Sequence, residues 1–323
     1  MTKITVSVCT YNGESRLPKV FEHLAKQVDV TPEQWEILVV DNASKDNTFQ
    51  VVQAYQSAFK EICKVRYVVE LKQGLAFART RALKEANSDL VAFVDDDNLL
   101  FPNWVNRAIA FAEVHPEIGA FGGQIHGKFG TSPPPYLNKI KYFLAVVEKG
   151  QHSFEYLPEK RMLPPGAGLV VKREAWLKHV PDSLSLAGRV GGSMVGGEDL
   201  EALVHIQKAG WEIWYNPEME MDHDIPNARL EEEYLLKIAW GTGLCRHQIR
   251  VARYTLWQNI FLTPLHIFHD SYKLVSYVLP FQKKKNEETI LRKIELAYRL
   301  GTFVSPFSML KSRWTQKRVG EVD

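Results

Sequence analysis

The apolar run Leu90–Val94 leads straight into three consecutive aspartates in DLVAFVDDDNLLFPNW, residues 89–104. Adjacent carboxylates repel one another, and placing them at a buried strand end is costly unless a cation neutralises them. An all-oxygen ligand set suits a hard ion, Mg²⁺ or Mn²⁺. Such an ion commonly takes one or two carboxylates and completes its shell with substrate phosphates. Asp95, Asp96 and Asp97 therefore point to a phosphorylated substrate bridged to the protein through a metal. The plainer reading makes Asp97 or Asn98 the cap of a helix over LLFPNWVNRAIAF, but one residue suffices for a cap.

A second constellation is GGEDLEALVHIQKAGWEIWYNP, residues 196–217. Glu198 and Asp199 open a helix here, a position acidic residues favour for the dipole alone. The five glycines from Gly188 to Gly197 imply a flexible loop beside them. A carboxylate general base that must close over its substrate needs such a neighbour. In QGLAFARTRAL, Gly74 and Arg79 start a helix whose N-terminal amides and guanidinium fit a diphosphate, with a surface arginine as the alternative. In LPPGAGLVV, Gly166, Ala167 and Gly168 enter a strand where small residues permit close approach of a ligand. His223, in MDHDIP, follows the last predicted strand, where an isolated histidine is most simply structural.

The elements that must position these groups follow a regular rhythm. ITVSVCT, WEILVVD, VRYVVE and DLVAFVD read as strands. Between them lie helical patterns over residues 14–27 (Leu17, Val20, Phe21 and Leu24 on one face), over VVQAYQSAF, and over GLAFARTRALKEA. Four alternations with short connections predict an α/β fold, a mostly parallel sheet flanked by helices. In such sheets ligands bind at the C-terminal strand ends. Thr10, Tyr11 and Asn12 end the first strand, Asp41 the second, and the three aspartates the fourth, so these groups should converge on one edge.

Beyond about residue 116 the pattern changes. IGAFGGQIHGKFG is strand-like but broken by glycines, AGLVVKREAWLKH is a strand running into a short helix, and EDLEALVHIQKAG is an amphipathic helix closed by Gly210. WEIWYNP is another strand, and residues 129–165 show no readable pattern. The chain is expected to divide into an α/β domain at 1–228 and a helical, basic, aromatic-rich extension at 229–323.

The totals narrow the class. The chain has 323 residues, 45% hydrophobic and 24% charged, an ordinary globular composition. A net charge of +2 gives no whole-molecule attraction to nucleic acid. Charge is uneven, however: residues 246–323 carry 14 Lys+Arg against 6 Asp+Glu, a net of +8. Three sparse cysteines, Cys9, Cys63 and Cys245, favour a reducing, cytoplasmic compartment over a disulfide framework. Neither a signal peptide nor a membrane-spanning run is expected. The stretch RYTLWQNIFLTPLHIFHDSYKLVSYVLPFQKKK mixes aromatic and basic residues without a true span. It suits a peripheral contact with the inner face of the plasma membrane, or equally a helical cap or oligomer contact.

Taken in order, VSVCTYNGESRL, VVDNASKDNT, QGLAFARTRAL, VAFVDDDNLLFPNW and GGEDLEALVHIQKAGWEIWYNP resemble the family 2 glycosyltransferases with the GT-A fold, over roughly residues 3–225. GGQIHGKFG, LPPGAGLVV, GRVGGSM, GLCRHQIR and the long extension are most similar to the hormogonium polysaccharide glycosyltransferases of cyanobacteria. The resemblance implies inverting transfer of a sugar from a nucleoside-diphosphate donor, a UDP-sugar favoured, to a saccharide or lipid-linked acceptor. It implies that Thr10, Tyr11 and Asn12 line the nucleotide pocket with Glu14 behind, that Asp41 contacts base or ribose, and that Gly74 and Arg79 lie near base and diphosphate. Asp95 would lie near ribose and sugar within a DxD motif, with Asp97 on the metal, Asp199 as general base of the ED pair and His223 as a further metal ligand. Thr80 departs from the pattern, standing where many relatives carry Asn.

Three rivals remain to be weighed. A metal-dependent phosphoryl or nucleotidyl transferase would share the aspartates but not need the ED helix. A dehydrogenase should show GxGxxG after the first strand, where this chain reads TYNGES. A non-catalytic nucleotide-sugar-binding protein would have no need of both Asp97 and Asp199.

Overall fold

The computed structural model describes residues 2–188, 194–279 and 286–319. Part of the glycine-rich loop (Gly191 and Gly192) and the lysines at 283–285 lie outside the described residues. The first half alternates as the periodicity predicts: β1 (Ile4–Thr10), α1 (Leu17–Leu24), β2 (Trp35–Asp41), α2 (Thr48–Ala58), β3 (Lys64–Val69), α3 (Leu75–Glu85) and β4 (Leu90–Asp95). β1 pairs in parallel with β2 and β4, and β2 with β3.

Side chains alternate across a strand, so a sheet buried on both faces needs two cores. Ile4, Val6 and Val8 of β1, Ile37 and Val39 of β2, and Ala92 and Val94 of β4 face one core with the apolar stripe of α1. Leu38, Val40, Val91 and Phe93 face the other with Ala78, Ala82 and Leu83 of α3. On β1 the second face carries Thr5 and Ser7 instead of aliphatics; Thr5 Oγ1 lies 2.9 Å from Glu36 and 2.7 Å from Ser88, which satisfies a hydroxyl in the interior.

The second half is irregular. It runs β5 (Asn98–Leu100), α4 (Trp104–Val114), β6 (Ile118–Phe129), β7 (Phe154–Glu155), β8 (Leu169–Lys172), α5 (Arg173–His179), α6 (Glu198–Lys208) and β9 (Glu212–Ile225). The sheet order is β3-β2-β1-β4-β8-β6-β9-β5, with β7 beside β9. Only β8, β5 and β7 run against their neighbours, so the sheet is mixed and mostly parallel, as expected.

Three sequence expectations change here. Asn98 caps no helix: it begins β5, and the helix starts at Trp104 with Asn103 before it. The glycines do not break β6, which is one strand of 12 residues with register shifts at two places. At one of them a Cβ on Gly123 would stand 1.9 Å from the Met219 carbonyl oxygen, so the bulge requires glycine. β9 does not stop at Pro217; that proline falls in the same register shift, where no ladder donor is needed, and the strand runs on through His223.

The extension is helical: α7 (Glu232–Leu244), α8 (Arg246–Arg253), α9 (Leu256–Val278) and α10 (Asn286–Val319). α7 and α10 cross closely at glycines, since a Cβ on Gly243 would lie 2.3 Å from the Tyr298 carbonyl oxygen. Leu235, Ile238 and Ala239 of α7 and Ile294 of α10 share a core with Leu137, Ile140, Phe143 and Leu144, from the stretch that had no readable pattern. α9 begins with a capping box between Thr255 and Gln258. Its outward side is apolar: Trp257, Phe261, Leu265, Phe268 and Tyr272 are all exposed. Among the described residues no helix is long and apolar enough to cross a membrane.

Candidate active site

The C-terminal ends of β1 and β4 lie in register, Cys9 against Asp95, and they open on a cleft of about 470 Å³. The cleft wall gathers Thr10, Tyr11, Gly74, Arg79, Asp95, Asp96, Asp97, Gly166, Ala167, Glu198, Asp199 and His223. Asn12, Glu14, Asp41 and Gly168 stand outside that wall. Asp41 is buried, its carboxylate accepting from the Ser44 amide at 2.8 Å and from the Tyr67 hydroxyl, so it braces the β2 turn. Its neighbour Asn42 lines the cleft instead, and takes the Gly74 amide at 2.7 Å. Asn12 and Glu14 tie the first loop to the second, through the Lys45 amide and Asn47.

Each aspartate of the triplet has a different cation. Asp95 lies 3.5 Å from Nη2 of Arg79. Burial, opposed by Arg79 and reinforced by Asp97 and Asp96, holds its carboxyl above the usual range. Asp96 accepts two hydrogen bonds from Arg16, 2.9 Å from Nε and 2.7 Å from Nη2, and one from Thr10 Oγ1 at 2.5 Å. Asp97 Oδ2 lies 2.9 Å from Nη2 of Arg229 and 3.4 Å from Nε2 of His223. Burial pushes the Asp97 carboxyl up, but the charge and hydrogen bond of Arg229 help hold it below the usual carboxylate range.

Arg79 is no surface arginine; it is 2% exposed. Its Nη1 lies 3.2 Å from Glu198 Oε1, so it spans from the end of β4 to the start of α6. Burial and the charge of Asp199, opposed by Arg79, push the Glu198 carboxyl up to about 7. Gly166 passes so close that a Cβ there would stand 2.5 Å from the Arg79 guanidinium nitrogens. Gly168 adopts φ +63° against Met221. Packing thus explains two of the three small residues. The first-turn amides of α3 are also largely spent inside the protein: Gly74 on Asn42, Ala76 on Ala187, and Phe77 and Ala78 on Gly74.

Asp199 stays at the cleft with one oxygen on the Gly166 amide at 2.5 Å and the other on the Leu200 amide at 2.8 Å. Those amides fix the carboxylate and leave further lone pairs for a hydroxyl proton. The Thr80 hydroxyl turns back to the Ala76 carbonyl at 2.8 Å.

His223, buried in β9, faces the Leu144 carbonyl oxygen through Nδ1 at 2.8 Å. A carbonyl only accepts, so Nδ1 carries the proton; Arg229 Nη1, 3.0 Å from Nε2, can only donate, so Nε2 presents its lone pair. A neutral Nε2 and a carboxylate 3.4 Å apart suit two adjacent positions of an octahedral ion, which at ~2.1 Å bonds stand about 3 Å from each other. Among the described residues no three His, Cys, Asp or Glu side chains converge as a ligand set. Asp97 and His223 are the two side chains that would hold a divalent ion there, and such an ion would need further oxygens from substrate and water.

The cleft residues that sequence reading missed include Arg16, Asn42, Arg229, and Tyr234 and Ile238 of α7. Arg16 stands in ESRL directly before α1, and nothing local in that stretch links it to the aspartates that follow β4. Arg229, Tyr234 and Ile238 fall beyond the expected boundary at 228, so the cleft draws on both parts of the chain.

Residues 5–167 match the model of glycosyl transferase family 2, half of the chain. The chain belongs to that family. A glucosyl-dolichyl phosphate glucuronosyltransferase of Haloferax volcanii is 24% identical over 243 residues, 75% of each chain. The poly(ribitol-phosphate) β-N-acetylglucosaminyltransferase TarS of Staphylococcus aureus is 35% identical over 115 residues, but these are 36% of this chain and only 20% of that one. Among solved structures, the mannosyltransferase PcManGT of Pyrobaculum calidifontis, in complex with GDP-Man and Mn²⁺, superposes with a TM-score of 0.59 at 18% identity. That match covers 95% of this chain and 87% of the other. The glycosyltransferase therefore has the GT-A architecture of its structural neighbours.

Proposed function

We propose that this glycosyltransferase moves a sugar, with inversion, from a nucleoside-diphosphate donor to a saccharide or lipid-linked acceptor in cell-surface polysaccharide assembly. The observation that carries the reading is the meeting, in one cleft, of the triplet Asp95–Asp97 and the amide-held Asp199. Asp199 takes the proton of the acceptor hydroxyl as it attacks the anomeric carbon. A divalent ion held by Asp97 and His223 would offset the charge on the departing diphosphate. Thr10, Tyr11 and Gly74 line the donor end of the cleft, and Ala167 and Glu198 the acceptor end.

A UDP-sugar is the favoured donor, and Mg²⁺ or Mn²⁺ the ion. The acceptor class draws support from two relatives, one named for a glucosyl-dolichyl phosphate, the other for poly(ribitol-phosphate). A narrower place among the hormogonium polysaccharide enzymes, which the sequence resemblance implies, would make the product a surface polymer. A lipid-linked acceptor also gives a use to α9. Its exposed apolar side and the +8 charge of residues 246–323 suit an anionic membrane surface at the cytoplasmic face.

Donor hydrolysis tests the reading. Slow release of nucleoside diphosphate from one nucleotide sugar, abolished in Asp97→Ala and accelerated by a matched acceptor, is the expected result. Turnover that survives Asp199→Asn at full rate would instead favour phosphoryl or nucleotidyl transfer.

A further inference from the structure

Arg229 occupies a place that the donor reading needs. Its Nη2 lies 2.9 Å from Asp97 Oδ2 and its Nη1 3.0 Å from His223 Nε2. Those are the two atoms suited to hold a divalent ion. The guanidinium thus straddles both candidate ligands with two arms of its planar fork, an arrangement an ammonium would not reproduce. Arg229 follows β9 in a short turn, Asn227–Leu230, whose backbone is anchored by the Arg229 amide on the Pro226 carbonyl at 2.9 Å. Its side chain is 27% exposed at the cleft wall, so it can leave Asp97 without unpacking the core.

We propose that Arg229 is a resident counter-cation that a divalent ion must displace, so that free enzyme resists bare metal and takes it up together with the nucleotide's diphosphate. This rests on the donor-site reading of the same cleft. The physical argument is competition. Without a cation the buried Asp97 carboxylate would be uncompensated beside Asp95 and Asp96, and a tethered guanidinium meets that need at high effective concentration. A metal entering alone must repel a positive charge from its seat and leave it without a partner. A metal arriving with a diphosphate brings the partner with it, because phosphate oxygens accept the same two-armed guanidinium. Metal and nucleotide then bind with positive coupling, and by linkage each strengthens the other equally.

Mn²⁺ titration followed by the electron paramagnetic resonance of the free ion tests this without any turnover, with and without UDP or GDP. For the wild type we expect weak Mn²⁺ binding alone and at least tenfold tighter binding with the matching nucleotide. Arg229→Met, which keeps an apolar stem and removes the charge, should bind Mn²⁺ alone at least tenfold more tightly than wild type and show a smaller nucleotide effect. Arg229→Lys, which keeps the charge but not the two-armed fork, should bind bare Mn²⁺ at a level between wild type and Arg229→Met. Arg229→Met binding bare Mn²⁺ no better than wild type, while nucleotide still promotes uptake in both, would overturn the role of Arg229 and leave the donor site standing. Mn²⁺ taken up by neither protein under any condition would remove the metal reading together with the inference. Mn²⁺ binding only in Arg229→Met would also contradict displacement, and make the guanidinium the permanent cation of the site.

Discussion

Glu198 Oε1 lies 3.2 Å from Nη1 of Arg79, a bond between the first residue of α6 and the middle of α3. The other arm of the same guanidinium reaches Asp95 at 3.5 Å. One buried cation thus ties the N-terminus of α6 to the strand end that carries the aspartates. Arg79→Met would leave two buried carboxylates without it, and breaking such a pair by removing one partner costs about 3–5 kcal/mol. Denaturant unfolding should show that loss, and Arg79→Lys should recover part of it.

The raised Glu198 carboxyl has a signed consequence. Its ordinary value of 4.5 applies to the unfolded chain and about 7 to the folded one. Between those values the folded protein holds the extra proton, so its contribution to stability is complete below about 4.5 and is lost as pH rises through about 7. Glu198→Gln should flatten that segment of the stability profile, with a wild-type loss on the order of 1–3 kcal/mol across the window. Unfolding midpoints measured from pH 4 to pH 8 would read it directly, and identical slopes in both proteins would contradict it.

Asp199→Asn keeps an oxygen for the Gly166 amide and removes the basic lone pair. Loss of a general base lowers turnover by roughly 10²–10⁴-fold. The nucleotide dissociation constant should stay at its wild-type value, while the unfolding midpoint falls slightly, because the amide nitrogen replaces the oxygen that accepts from the Leu200 N–H.

On α9, Trp257, Phe261 and Phe268 are 72%, 71% and 75% exposed. Replacing all three by serine should weaken co-sedimentation with anionic vesicles at least tenfold, with little fall in thermal stability, because these side chains are mostly exposed among the described residues. Unchanged vesicle binding would assign that face to another partner.

The legibility of this chain follows the range of the forces involved. β1 to β4 and their helices announce themselves by local period, and the triplet and ED pair by composition. β5 has no sequence signal, because three residues carry no period and its partner, β9, lies far along the chain. The segment containing Leu137, Phe143 and Leu144 takes its order from α7 and α10, so no local pattern could reveal it. Arg16 and Arg229 are single residues whose meaning lies in distant carboxylates, and only the folded chain brings them to Asp96 and Asp97. Asp41 ends its strand on the expected edge, but its contacts with Ser44 and Tyr67 come from other segments and are visible only in the fold.

The central claim is a metal-assisted nucleotide site built on Asp97. The most direct measurement is thermal unfolding with a panel of nucleoside diphosphates, with and without Mn²⁺, on wild type and Asp97→Ala. A ligand at a hundred times its dissociation constant stabilises the folded state by about 2.7 kcal/mol. The account predicts a rise in midpoint with one nucleotide, larger with Mn²⁺ and absent in Asp97→Ala. No rise with any nucleotide, or an equal rise in Asp97→Ala, would contradict it.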